Sequence, residues 1–251
     1  MAHSIVIFDI DNTLTESRSP ISRGLAKLLS KLLTEVKVGL ISGESMEDFE
    51  KQIISHLKHA NLENLYALPT CGAELRVYKD GEWKQVYSYP IDNHKRRLII
   101  EKLSKGLSIM PVALGEYLYD RGSQITYSAL GKHASLEDKY AWDPDRTKRR
   151  QIVETLRSHL PGITMTIGGS TSIDFTEEGI DKRFGVGKLL EYLHIQPHNA
   201  LFVGDALYEG GNDAPVKKLG IDTRDTSSLD ATYDIIKKLL FEESAERRKL
   251  T

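Results

Sequence analysis

The chain of 251 residues carries 34 Lys and Arg against 36 Asp and Glu, a formal net charge of −2, and its calculated pI is near 6.5. Such a length can bury a full core without cross-links, which excludes a small disulfide scaffold or a natively unfolded chain, and the balanced charge excludes global attraction to nucleic acid or an anionic membrane. Cys71 is the only cysteine, so neither an internal disulfide nor a thiolate metal cluster can form, and no apolar run is long enough to span a bilayer; a soluble cytoplasmic protein is expected.

In chain order, Ser4 to Phe8 is an apolar run that ends in an Asp-rich polar stretch, the pattern of a strand buried on both faces of a parallel sheet. Leu25, Leu28, Leu29, Leu32 and Leu33 recur at helical spacing behind Ser22, a good N-cap. Val36 to Ile41 reads as a second buried strand, and Met46, Phe49, Ile53, Ile54 and Leu57 mark a second amphipathic helix. This βαβα order begins a doubly wound sheet. Ala73 to Tyr78 and Trp83 to Tyr87 are strand candidates joined by a turn in which Asp80-Gly81 is a strong hairpin signal. Helices around Asn93 to Lys105 and Asp143 to His159 then alternate with short strands at Gln124 to Leu130, Ile163 to Ile167 and Ser172 to Phe175, as in an antiparallel sheet with helices on one face. After Gly179 the first rhythm returns: a helix from about Asp181 through Leu193, a buried strand Ala200 to Val203, a short strand from Ile221 and a helix Leu229 to Phe241. The charged tail Glu242 to Thr251 is expected to fray. The fold class is therefore α/β, a doubly wound core built from 1–82 and 179–251, with an α+β domain inserted at 83–178.

The chemistry-bearing residues fall at strand ends. Asp9 and Asp11 follow the first strand, where ligands of an open α/β sheet collect. Two such acids can divide the labour, one attacking phosphorus and the other moving the proton of the leaving and entering oxygen. A calcium loop would need Gly and Glu where Leu14 and Pro20 stand, and an ordinary Asp turn is the plain alternative. Ser42 and Gly43 follow the second strand. Lys182 sits in the first turn of a helix, where a cation opposes the macrodipole and asks for an anionic partner. Gly204-Asp205 and Gly210-Gly211-Asn212-Asp213 follow a later strand. Asp9, Asp205 and the backbone carbonyl of Asp11 form the oxygen-rich set that Mg2+ prefers. His56 and His59 lack a third metal ligand nearby and read as surface residues.

Asp9-Ile10-Asp11-Asn12-Thr13, Ser42, Lys182 and Gly204-Asp205 with Asn212-Asp213 resemble the four motifs of the haloacid dehalogenase superfamily of Mg2+-dependent phosphotransferases. The resemblance implies a Rossmannoid core with an inserted α+β cap. It makes Asp9 the nucleophile, Asp11 the general acid and base, Ser42, Gly43 and Lys182 phosphate binders, Asp9, Asp11 and Asp205 the Mg2+ site, and Asn212 and Asp213 its support. Over nearly the whole chain a closer resemblance is to the eukaryotic-type phosphomannomutase family, carried by Thr13 to Arg18, Gly168 to Phe175, Gly179 to Arg183 and Gly204 to Asp213. It implies that Arg18, Arg121, Lys132 and Lys139 hold a second phosphate and that Ser172 and Asp174 hold sugar hydroxyls. Lys132 and Lys139 stand where that family carries arginines, and Asn12 where it carries glycine.

The function so implied is interconversion of mannose 6-phosphate and mannose 1-phosphate, or of the glucose pair, through an aspartyl phosphate, with a hexose 1,6-bisphosphate as activator and a homodimer formed through the cap. The alternative is a sugar-phosphate phosphatase, since incomplete exclusion of water by the cap gives hydrolysis instead, and Ser42 is closer to the hydrolase pattern. A sugar-phosphate-binding regulator without turnover is a third reading, and no nucleic acid or membrane partner is expected.

Overall fold

Strand β1 (Ile5–Asp9) is buried along its whole length and pairs in parallel with β2 (Lys37–Ile41) on one side and β10 (Ala200–Gly204) on the other. It is the centre of a seven-stranded sheet of order β11-β10-β1-β2-β3-β4-β5, completed by β3 (Leu65–Leu68), β4 (Glu74–Lys79), β5 (Glu82–Ser88) and β11 (Asp222–Asp225). The computed structural model describes residues 3–105, 117–131 and 133–250, leaving out the side chains of 242–250. The chain divides into two compact units, 1–87 with 182–251, and 88–181.

In the larger unit the side chains of each central strand alternate between two cores. Val6, Phe8, Val38, Leu40, Leu201 and Val203 pack with helices α1 (Arg23–Leu32), α2 (Met46–Gln52) and α7 (Leu229–Leu250), whereas Ile5, Ile7, Ile41 and Phe202 pack with α6 (Lys182–Leu193). Ser22 caps α1, its Oγ accepting the Leu25 N–H, and Ser45 with Asp48 forms a capping box on α2. The second helix stops at Gln52 rather than at Leu57, because Ile53 leaves helical backbone and a single 3-10 turn, Ile54–His56, follows. Strand β3, too short and unpunctuated to stand out in the sequence, continues the parallel sheet beside β2. The last helix runs on to Leu250 instead of fraying after Phe241. Helix α6 approaches the turn after β3 so closely that a Cβ on Gly185 would lie 2.6 Å from Gly72 Cα, and one on Gly72 2.5 Å from Gly185 Cα.

The smaller unit holds α3 (Asn93–Ser104), β6 (Leu118–Asp120), β7 (Ile125–Ser128), α4 (Leu136–Trp142), α5 (Thr147–Arg157), β8 (Ile163–Gly168) and β9 (Ser172–Glu177). Its sheet, β6-β7-β9-β8, is antiparallel throughout. One face, with Ile125, Tyr127, Ile173 and Phe175, packs on Ile99, Leu103, Ile152 and Leu156 of α3 and α5. Alternation therefore puts Thr126, Ser128, Ser172 and Asp174 on the other face. The helix expected over Asp143 to His159 begins only at Thr147. Asp143 instead turns back to accept the N–H groups of Lys148 and Arg149, at 2.9 and 3.1 Å, and so separates α4 from α5.

The boundaries expected at 83 and 178 lie at 88 and 181. The first moves because β5 is hairpinned to β4, through Asp80 and Gly81 at φ 56° and 84°, and thus stays in the larger sheet. Among the described residues no helix is long and apolar enough to cross a membrane.

Candidate active site

The carboxyl ends of β1, β2 and β10 lie side by side, and the chemistry-bearing residues follow from them. Asp9 closes β1, Ser42 and Gly43 follow β2, Asp205 follows β10, and Lys182 opens α6. Lys182 Nζ donates to Asp9 Oδ1 at 2.5 Å and to Asp213 Oδ1 at 2.6 Å. None of these three side chains is more than 6 % exposed. The Ala206 N–H donates to Asp213 Oδ2 at 3.1 Å. Gly204 makes that placement possible, since a Cβ there would stand 2.4 Å from the same oxygen. Asp9, Asp205 and Asp213 each offer a carboxylate oxygen, all within 4.8 Å of one another. Asp213, read from the sequence as support, is thus a full member of the cluster, while half-buried Asn212 precedes it.

Burial pushes the Asp9 carboxyl well above the ordinary range; Lys182 opposes the rise, and the charges of Asp213 and Asp205 add to it. Asp205 is pushed up to about 6, first by burial and then by Asp213. Burial alone would lower the Lys182 pKa, but the charges of Asp213 and Asp9 outweigh it and hold the ammonium above its ordinary value. Three acids thus share one cation in a largely buried site. A hard-oxygen donor set with excess negative charge fits Mg2+, and it would not suit a soft metal.

Asp11 sits apart from these three carboxylates. Its Oδ1 accepts the Arg18 N–H at 2.8 Å, across a turn in which the Asn12 N–H reaches the Thr15 carbonyl at 2.7 Å. Asn12 adopts φ 60°, left-handed backbone that asparagine tolerates better than most side chains, which explains how it stands where glycine is usual. The Arg18 guanidinium lies 3.3 Å from the nearly buried Glu44 carboxylate, a partner with no sequence signature. Ser42 is buried, and its Oγ accepts the Glu44 N–H at 3.3 Å.

In the smaller unit, Asp174 lies opposite Thr126 in the β7–β9 register, and Ser172 opposite Ser128. Asp174 Oδ1 accepts from Thr126 Oγ1 at 2.7 Å and from Gln124 Nε2 at 2.9 Å. Thr126 Oγ1 in turn accepts from Arg121 Nη1 at 2.7 Å and from Gln124 Nε2 at 2.8 Å. Arg121 and Asp174, expected as separate contacts, are therefore joined through one hydroxyl. Gln124 and Thr126 were not found from the sequence, because strand register is invisible in a single chain. Arg149, 1 % exposed, donates from Nε to Asp143 Oδ2 at 2.8 Å and from Nη1 to the carbonyls of Gly168 and Gly169, so it holds the turn that leads into Ser172. Lys139 is buried in α4, and Lys132 lies outside the described residues.

The phosphomannomutase of Saccharomyces cerevisiae is 28% identical over 219 residues, covering 84% of this chain and 83% of that protein. That of Spinacia oleracea is 27% identical, covering 83% and 84%. Among solved structures, an IMP-bound mutant of the Plasmodium falciparum IMP-nucleotidase superposes with a TM-score of 0.67 at 17% identity, over 95% of this chain and 67% of that one. A trehalose-6-phosphate phosphatase related protein does so with a TM-score of 0.57, also at 17% identity, over 98% and 100%. At such identities these two speak for the fold alone, an α/β core with a mostly parallel sheet. The family model for eukaryotic phosphomannomutase matches residues 25–241, so the chain belongs to the eukaryotic phosphomannomutase family.

Proposed function

We propose that the chain is a Mg2+-dependent phosphohexomutase that interconverts mannose 6-phosphate and mannose 1-phosphate, with a hexose 1,6-bisphosphate as activator. The observation that carries this reading is the buried ammonium of Lys182 joined to Asp9 and Asp213 at the sheet edge. Lys182 engages Asp9 Oδ1, and we assign the attack to Oδ2. Asp9 Oδ2 bonds to phosphorus as the sugar oxygen departs, and Asp11, oriented by the Arg18 N–H, gives that oxygen its proton. In the return step Asp11 takes the proton of a hydroxyl on the bound sugar phosphate, which then attacks the phosphorus on Asp9.

Asp9, Asp205 and Asp213, with the Asp11 carbonyl, are the groups that would hold Mg2+, which supplies charge neutralisation and polarises the phosphate when bound. Ser42, Gly43 and Lys182 bind the transferring phosphate. Arg18, Arg121, Lys132 and Lys139 bind the second one, and Ser172 and Asp174 bind sugar hydroxyls. We assign the reaction to the cytoplasm and the smaller unit to a homodimer contact, which light scattering tests as twice 28.3 kDa.

The deciding experiment supplies mannose 1-phosphate, bisphosphate and Mg2+, and measures hexose 6-phosphate and inorganic phosphate separately. Hexose 6-phosphate without phosphate release, abolished by Asp9→Asn, is the expected result. Phosphate release alone would mean a phosphatase, and turnover that survives Asp9→Asn would overturn the mechanism.

A further inference from the structure

Away from the strand ends, α1 and the turn after α2 border an open-sided cavity of about 610 Å³ in the larger unit. Its walls carry Arg23, Lys27, Lys31, Lys58, His56 and His59, and none of the lining residues is acidic. All six are exposed, and among the described residues none of the four cations is paired with a carboxylate. The buried side chains of Ile21 and Ala26 also line it. The two histidines, read from the sequence as surface residues, are exposed and lie on the walls of this cavity.

Helix energetics argue against reading these cations as an ordinary solvated face. Arg23, Lys27 and Lys31 follow one another at four-residue spacing, so each repels the next along a single stripe of α1. Arg23 occupies the first turn, which holds no acid, and its charge opposes the positive end of the helix dipole. A chain of net charge −2 has gathered four full positive charges here, and no acidic residue shares these walls with them. The volume lies within the roughly 300–1,000 Å³ of cavities that enclose small organic ligands. Cations at the walls and an apolar patch beneath them suit a ligand with several phosphate charges and an organic body.

We propose that this cavity binds an organic polyphosphate of nucleotide size, at a site separate from the Asp9 cluster. Calorimetric titration of the full chain in EDTA, with adenosine 5′-triphosphate and with inorganic tripolyphosphate as probes, tests it. The nucleotide binds, weakens steeply as salt is raised, and is not displaced by saturating mannose 1-phosphate. The double variant Lys27→Glu, Lys31→Glu, and separately Lys58→Glu, weakens binding at least tenfold while the thermal unfolding midpoint and turnover without nucleotide stay at the parent values. Two results overturn the proposal: no heat at millimolar nucleotide, or unchanged affinity in variants that remain folded. Tripolyphosphate binding as tightly as the nucleotide would overturn the role given to the organic body.

Discussion

Replacing Lys182 by Met removes the one cation that Asp9 and Asp213 share. Nζ lies 2.5 and 2.6 Å from their oxygens, and all three side chains are nearly sealed from water. At an effective dielectric constant near 20, a pair of unit charges about 4 Å apart attracts by about 4 kcal/mol, and desolvating the ammonium cancels part of two such terms. Buried pairs broken from one side lose about 3–5 kcal/mol, and we expect that loss here. In urea this lowers the midpoint by roughly 1–2 M. The assay uses Trp83 fluorescence in a Trp142→Phe background, because Trp83 belongs to the larger unit and Trp142 to the smaller. The variant's acids can recover by keeping protons. Asp9 and Asp205 already bind protons more tightly folded than unfolded, so in EDTA their contribution is largest at low pH and falls as pH rises through the raised values, about 6 for Asp205. The deficit is therefore larger at pH 8 than at pH 5, and added Mg2+ restores part of it. An unchanged midpoint at pH 8, or an equal deficit at both pH values, would refute the reasoning.

For the parent protein, Mg2+ must displace the proton that Asp205 holds below about 6, and Asp9 too is raised; affinity then drops by about tenfold per pH unit beneath that value for the Asp205 proton alone, with proton release visible by calorimetry in two buffers. Gly185→Ala forces a Cβ to within 2.6 Å of Gly72 Cα, backbone against backbone, and costs about 1–3 kcal/mol in the same urea assay. Arg149→Met strands the buried Asp143 and frees the Gly168 and Gly169 carbonyls; the smaller unit loses about 3–5 kcal/mol, read by Trp142, while the Trp83 transition stays put. Gln124→Leu removes one donor from Asp174 and one from Thr126, so KM for mannose 1-phosphate rises several-fold with little change in kcat, and hydrolysis of a small aryl phosphate does not move.

Much of the larger unit could be read from the chain because its central strands are continuous apolar runs and its first helix has both a stripe and a cap. Asp9, Asp11 and Asp205 stood out because each follows such a run. What escaped the sequence depends on partners distant along the chain. The pairing of Thr126 with Asp174 is a register, the ion pair of Arg18 with Glu44 links two loops, and the full membership of Asp213 rests on a glycine that leaves room for its carboxylate. The misplaced edge of the insertion has the same origin: β5 shows the same alternation whichever sheet it joins, and only its hairpin partner decides.

The position of β1 between β2 and β10 also sets a timetable for synthesis. One flank of β1 is paired by residues made soon after it; the other waits for Ala200, and Asp9 waits 173 residues for Lys182. At about 5–20 residues per second the ribosome takes roughly ten to thirty-five seconds to cover that interval. Throughout it the nascent chain carries a strand with an open edge and an acid whose counterion does not yet exist, a state open to chain-to-chain pairing. A transcript cut anywhere before codon 182 therefore yields an aggregation-prone fragment rather than a weakened enzyme.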